Sequence, residues 1–276
     1  MTTMQKIVKY LAMAFAIFLS VSIITGMCGA LLSVTYFFSG NTSDEMTDEY
    51  DVGNNVASLS VNISAAELQI KTGDKFAVET NHKYLKCEEK DDVLKISETR
   101  SMFVLHPRGM KVILTIPKES ALDYVDISAG AGSVTIDAIL TNSLSVELGA
   151  GELKAERLDA IDNAEIDGGA GSVTINGGSL NNADIDMGVG ELNLTSELGG
   201  KSSIDYGVGE TNLVLIGQED DYKIELDKGI GEAQINGKKM SDDSVYGAGE
   251  NFIEIDGGVG ELNITFSSKA NEKEQM

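Results

Sequence analysis

Apolar and polar residues alternate in short runs along most of this chain, and the alternation breaks at a recurring place. In ADIDMGVGELNL (183–194), Ala183 and Ile185 precede a Gly-Val-Gly and Leu192 and Leu194 follow it, with acids or amides between. Period-two alternation marks a half-buried strand. The apolar positions fall five and three residues before the first glycine, then four and six after it, an odd step. A straight strand cannot make that step, because a one-residue slip sends every side chain to the opposite face. The pattern predicts strand, corner, strand.

This unit is written many times. The first glycines fall at 130, 149, 169, 188, 207, 229 and 258, in steps of 19, 20, 19, 19, 22 and 29 residues. A period of 19–20 residues suits one coil of a solenoid. The expected fold is therefore all-β: a single-chain β-solenoid, right-handed by the rule for parallel crossovers. The corner glycines are the pairs Gly130/Gly132, Gly149/Gly151, Gly169/Gly171, Gly188/Gly190, Gly207/Gly209, Gly229/Gly231 and Gly258/Gly260. They are expected to supply positive φ or to let neighbouring coils approach. The residue between them is Ala131, Ala150, Ala170, Val189, Val208, Ile230 or Val259, always apolar, and is predicted to point into the corner of the core. Ser64-Ala65-Ala66 stands in the same frame without glycine, as a worn first copy. Between 74 and 118 the period is lost although strand-like runs persist, which reads as a capping region with an insertion. KKMSDDSVYGAGEN (238–251) reads as a loop bulging from the last coil, and the polar tail SSKANEKEQM as the cover of the C-terminal end.

The N-terminal part has another character. From Tyr10 to Phe38 there are 29 residues without a charge, longer than the roughly 20 that cross a bilayer. Lys6 and Lys9 precede this run, and Asp44, Glu45, Asp48, Glu49 and Asp51 follow it. The positive-inside rule then leaves the N-terminus in the cytoplasm and the rest outside. An uncleaved signal anchor over 7–38 is the expectation. A signal peptide cleaved near Cys28-Gly29-Ala30 is the alternative, although its apolar core would run only about 7–15 residues. The map that follows is 1–6 cytoplasmic, 7–38 anchor, 39–55 acidic linker, 56–266 solenoid and 267–276 polar tail. Within the solenoid, 56–120 is the irregular cap and 121–266 the regular coils.

Charge narrows the function. With 44 acidic and 21 basic residues the net charge is −23, which argues against nucleic acid as a partner. Two cysteines and two histidines build neither a disulfide framework nor a His-rich metal site. The glycine motif lacks the third glycine and following helix of a dinucleotide loop, and no copy carries the aspartate of the calcium-binding β-roll repeat. What remains is a row of carboxylates: Glu152, Glu191, Glu210, Glu232 and Glu261 each follow a second corner glycine. Stacked about 4.8 Å apart, like charges cost roughly 1 kcal/mol per contact in water. Hydrogen bonds from the corner, plain solvation, a divalent cation or a cationic partner would each account for them. These five glutamates are the metal-ligand candidates; no other cofactor is expected. Two residues further on, Asn193, Asn212, Gln234 and Asn263 would form an amide ladder. No nucleophile–base arrangement can be nominated, so an enzyme is not expected. A polysaccharide-active enzyme would need one unique carboxylate pair, whereas these acids recur in every coil.

The N-terminal anchor, the worn first repeat, the strand VILTIP (112–117) and the serial GAGSVTI and GVGELNL units together resemble the bacterial DUF4097 family, often labelled "putative adhesin". The resemblance spans roughly 56–266. It implies an extracytoplasmic β-solenoid, a link to cell-envelope stress systems and a membrane partner protein. It brings no catalytic residues with it. The expected function is a non-enzymatic, adhesin-like envelope binding module. The competing expectation is a regulatory or sensor subunit acting through another membrane protein.

Overall fold

The computed structural model describes residues 46, 48–53, 55–98, 110–118 and 120–268. The anchor segment 7–38, most of the acidic linker and the tail from 269 lie outside the described residues. Among the described residues no helix is long and apolar enough to cross a membrane.

The chain is all-β. In order it forms β1 (Asp48–Asp51), β2 (Ser58–Gly73), β3 (Ala77–Thr80), β4 (Leu85–Lys90), β5 (Val93–Glu98), β6 (Lys111–Pro117) and β7 (Ala121–Ile175). Then come β8 (Gly178–Asn181), β9 (Ala183–Gly199), β10 (Lys201–Ile216), β11 (Tyr222–Asp227), β12 (Ile230–Ile235), β13 (Lys238–Lys239), β14 (Ser244–Gly247) and β15 (Asn251–Ser267). Short acidic β1 lies in a stretch whose composition reads as linker, yet it pairs antiparallel with β3. LKAERLDA (153–160), helical in composition, is strand within β7; inward Leu153, Ala155, Leu158 and Ala160 are fully buried, and that burial overrides propensity.

The corners do not divide the strands as the pattern predicts. The glycine pairs Gly130/Gly132, Gly149/Gly151 and Gly169/Gly171 all lie inside β7, and strand pairing continues through each of them. The physical reason is that neighbouring layers bend at the same residue. Ala65 pairs with Ala131, and Gly171 with Gly190, so the ladder skips only the first-glycine position and keeps its register round the corner.

The long strands stack in parallel, like residue on like residue. Ile185 pairs with Ile166 and Ile204, and Leu194 with Ile175 and Leu213. The apolar positions five and three before each corner, and four and six after it, all face inward and form one continuous core. Three consecutive coils also have a third short side, where Ala160, Leu180 and Leu198 stack in register.

The order of stacking departs from the order of the chain at both ends. β15 does not lie outermost. It pairs with β10 on one edge and with β11 and β12 on the other. The terminal coil is thus the earlier segment 222–235. Its edges are covered antiparallel by β14 on β11 and by β13 on β12. Residues 238–247 are therefore a cap and not a bulging loop. The expectation that the tail covers this end falls on residues outside the described ones; among the described residues, β13 and β14 pair with its edges. Tyr246 of β14 stacks on Phe266 of β15, with ring centres 6.4 Å apart, and Phe266 packs on buried Tyr222. The N-terminal end repeats the arrangement. β2 lies one layer in, between β7 and the pair β5 and β6. Those two strands carry antiparallel covers, β4 on β5 and β3 on β6. Both ends thus pair what would otherwise be open sheet edges.

Candidate functional site

The corner column is the most regular surface of the molecule. The second glycines Gly132, Gly151, Gly171, Gly190, Gly209 and Gly231 adopt positive φ, from 136° at Gly132 to 150° at Gly209. Each also presses on the layer before it in the stack. A Cβ on Gly151 would lie 1.9 Å from the backbone oxygen of Gly132, and one on Gly171 1.8 Å from that of Gly151. On Gly209 it would lie 1.7 Å from Gly190 O, and on Gly260 1.8 Å from Gly209 O. The first glycines divide the two expected roles differently. Of these only Gly229 has positive φ. The others serve close approach alone, as at Gly207, where a Cβ would meet Gly188 O at 2.3 Å. The glycines let backbone lie on backbone where the chain turns. The worn copy carries side chains at this corner. Ser64 and Ala66 belong to β2, and on that side β5 pairs only as far as Asn62 while β6 begins at Glu67.

The backbone turn at the glycine pair also decides where the middle residue points. It faces out. Val208 is 42% exposed, Val259 46% and Ile230 73%. The expectation that these side chains fill the core is wrong for this reason. The inward corner places are taken by the residue before the first glycine, among them Leu148, Met187 and Tyr206. The pairing sets Ala170, Val189, Val208, Val259 and Ile230 in one line, an apolar ridge that grows bulkier toward the C-terminal end.

A carboxylate row runs on each side of this ridge. After the second glycine, Glu191, Glu210, Glu261 and Glu232 stand in register. Glu152, after Gly151, belongs to the same column, but Ser172, after Gly171, separates it from the other four. Two residues before the first glycine, Asp167, Asp186, Asp205, Asp256 and Asp227 form the second row. Between the aspartate row and the ridge runs an open groove of about 510 Å3, bordered by Gly169, Gly188, Gly207 and Gly257 and backed by Met187 and Tyr206. Tyr206 lies over Gly257, where a Cβ would collide with its hydroxyl, and donates to Lys228 O at 3.3 Å.

The amide ladder forms among its three asparagines, with Gln234 in register beside Asn263. Asn212 donates to Asn193 Oδ1 at 3.1 Å, and Asn263 to Asn212 Oδ1 at 3.2 Å. The amides of Asn193 and Asn212 also donate to Glu191 and Glu210, at 2.7 and 2.9 Å. These side-chain amides, which sequence spacing places beside the acids, hold two of the glutamates. At the terminal coil Lys239 of β13 takes that role, bonding both oxygens of Glu232 at 2.9 and 3.0 Å. Among the described residues no group of three or more His, Cys, Asp or Glu side chains is arranged to hold a metal ion.

The match to the Toastrack DUF4097 family covers residues 55–246. This chain belongs to that family. Solved structures with similarity to this Toastrack chain include a putative cell adhesion protein from Clostridium sporogenes ATCC 15579, at 20% identity and TM-score 0.35, covering 80% of this chain and 98% of that one. A putative adhesin from Bacteroides fragilis NCTC 9343 aligns at 15% identity and TM-score 0.39, over 80% of this chain and 98% of that one. Another, from Parabacteroides distasonis ATCC 8503, aligns at 15% and 0.36, over 82% and 98%. No curated protein matches.

Electrostatics single out the middle of the Toastrack aspartate row. Partial burial raises the carboxyls of Asp186 and Asp205 above their ordinary value, and neighbouring acids add to it: Asp184 and Asp167 for the first, Asp186 and Asp256 for the second. The two carboxyls stand in register on adjacent strands. A different acid governs the N-terminal end. Burial alone would raise Glu98, but hydrogen bonds from His82 and from the Ser64 hydroxyl and N–H outweigh it and hold the carboxyl at about 2. His82 Nε2 stands 3.5 Å from Glu98, and both side chains are buried. Its Nδ1 accepts from the Tyr84 N–H at 3.2 Å. The imidazole thus faces an acid and a main-chain donor, and Ser64 bonds to Glu98, so the three do not form a nucleophile–base pair.

Proposed function

We propose that this chain is a non-enzymatic binding module, anchored in the cytoplasmic membrane by residues 7–38 and presenting its coils outside the cytoplasm. One observation carries the reading: the corner face repeats the same side-chain types in straight rows, layer after layer. A surface of that kind suits a partner that lies along it, whereas catalysis requires one unique constellation. The anchoring rests on the uncharged run 10–38, the lysines before it and the acids after it. The adhesin-like role is the reading this face supports best.

The test replaces residues 7–38 of the full chain with an unrelated membrane anchor and measures cross-linking of the chain to envelope components in cells. Retained cross-linking through the coil face supports a binding module. Complete loss would favour the second reading, a regulatory subunit that acts by helix pairing, for which Ala12, Ala16, Gly26 and Gly29 supply small residues at close helical spacing.

A further inference from the structure

We infer that the corner face is the docking site for a basic amphipathic helix, whose apolar stripe lies on the Val189–Val208–Val259–Ile230 ridge and whose Lys and Arg side chains reach the carboxylate rows on either side. The inference rests on the binding-module reading and specifies its partner.

The ridge is unusual in being apolar and exposed amid a strongly acidic surface. Val208, Val259 and Ile230 form a contiguous line and not scattered single residues. Along Val189, Val208 and Val259 the line is bordered by glycines and carboxylates, with Lys228 and Lys239 only at its Ile230 end, so an apolar partner without positive charge would have to desolvate carboxylates with no compensation. Charge complementarity therefore selects a cation on each flank. A second copy of this chain is disfavoured, since two such faces would bring like charge together.

The molecule already contains a small instance of the pairing. At the end of the ridge, Lys239 seats its ammonium on Glu232, beside Ile230. Further along, Glu210 and Glu261 have no lysine bonded to them among the described residues, and the rows stay open to a cation from outside.

Spacing selects a helix. Successive ridge residues are set by the stacking of strands, about 4.8 Å apart. A helix lying along the ridge presents one side chain per turn, about every 5.4 Å. Across three steps the mismatch is about 2 Å, within side-chain reach. An extended partner presents a same-face residue only about every 6.6 Å, and over the same span it slips by about a full layer. The groove beside the ridge, walled by Asp186, Asp205 and Asp256, gives the helix flank room to settle.

The test uses the full chain in nanodiscs of zwitterionic lipid and a fluorescent amphipathic peptide of lysine and leucine, helical when bound. A peptide of the same composition, scrambled to have no apolar face, is the control. Chain with Val208→Ser, Val259→Ser and Ile230→Ser in identical discs cancels peptide taken up by lipid. All three residues are exposed, and an unchanged melting temperature confirms an intact fold. The expected result is saturable binding of the amphipathic peptide, weakened about tenfold or more by the triple substitution. Glu210→Gln with Glu261→Gln should also weaken it and flatten its salt dependence. Equal binding of both peptides, or no loss in the triple variant, would overturn the inference. If no peptide binds while the anchor-swapped chain still cross-links to envelope components, the helix proposal fails and the binding-module reading stands.

Discussion

The two ends of the stack face the same problem and solve it with different residues. Each ends in a coil made of two short strands, and each strand is covered by an antiparallel partner: β4 and β3 at the N-terminal end, β14 and β13 at the other. At the N-terminal end Ser64 and Ala66 stand in place of glycine at the corner of β2, and the buried Glu98 carboxylate accepts from Ser64. At the C-terminal end the outermost corner still needs Gly229 and Gly231, because their Cβ positions point back into Gly257, Gly258 and Gly260. The column has a direction. At each of these glycines the Cβ position faces the layer on the N-terminal side.

The largest test of that direction is substitution along the column. Gly209→Ala places a methyl against the Gly190 carbonyl at positive φ and should cost about 3 kcal/mol or more. Gly151→Ala and Gly171→Ala, with the same φ and the same approach to the layer before, should cost as much. Ala66→Gly, in the same role at the first layer, should cost only about 1 kcal/mol from backbone entropy. Thermal unfolding of the full chain reads all four, and equal effects at Ala66 and Gly209 would remove the polarity from the account.

The next largest effect separates the ends by their polar content. Glu98→Ala removes the buried acid that faces His82 and Ser64 and should cost about 2 kcal/mol. At the other end, the exposed contact between Glu219 and the Tyr246 hydroxyl should contribute less than about 1 kcal/mol, so Glu219→Ala is expected to be mild. Denaturant midpoints decide between them.

Acid should move the two regions in opposite directions. Glu98 is depressed in the folded state, so its contribution is complete above its ordinary value of 4.5 and fades as pH falls toward about 2. Asp186 and Asp205 are raised, so their ionisation opposes folding at neutral pH, and that penalty is relieved as pH falls through their folded values. Stability should therefore rise slightly on mild acidification and then drop below 4.5. Asp205→Asn should stabilise the chain by roughly a few tenths of a kcal/mol at neutral pH and flatten the rise, which melting curves across pH would detect. The smallest effect concerns cations. Calcium should shift the melting temperature no more than sodium at equal ionic strength; a calcium-specific rise would turn the glutamate row into an ion site.

The strands, the coil period, the glycine corner and the Asn193–Asn212–Asn263 ladder are all legible in the sequence, because each depends on residues close in the chain or repeated in register. The outward ridge is not. Alternation loses its meaning at a glycine with positive φ, so Val208 reads as core by composition and lies outside by geometry. The aspartate row is visible as spacing but not as the wall of a groove. The insertion of β15 is non-local: GVGELNI and GIGEAQI are near copies, and local pattern does not say which stacks on 207–213. One signal does. Gly257 is small at the position before the corner, where bulky Tyr206 needs room. Size complementarity of that kind selects 258–264 as the layer over 207–213.

The most direct test of the account is which corner touches which. With Cys28 and Cys87 replaced by Ser in the full chain, Val208→Cys is combined either with Val259→Cys or with Ile230→Cys and exposed to mild oxidant. The pairing sets Val208 beside Val259, with Ile230 a further layer away, and a disulfide needs Cα atoms within about 7 Å. The account predicts rapid intramolecular cross-linking of the 208/259 pair and none of the 208/230 pair. The reverse result would mean that coils stack in chain order, and would contradict both the capped end and the ridge built on it.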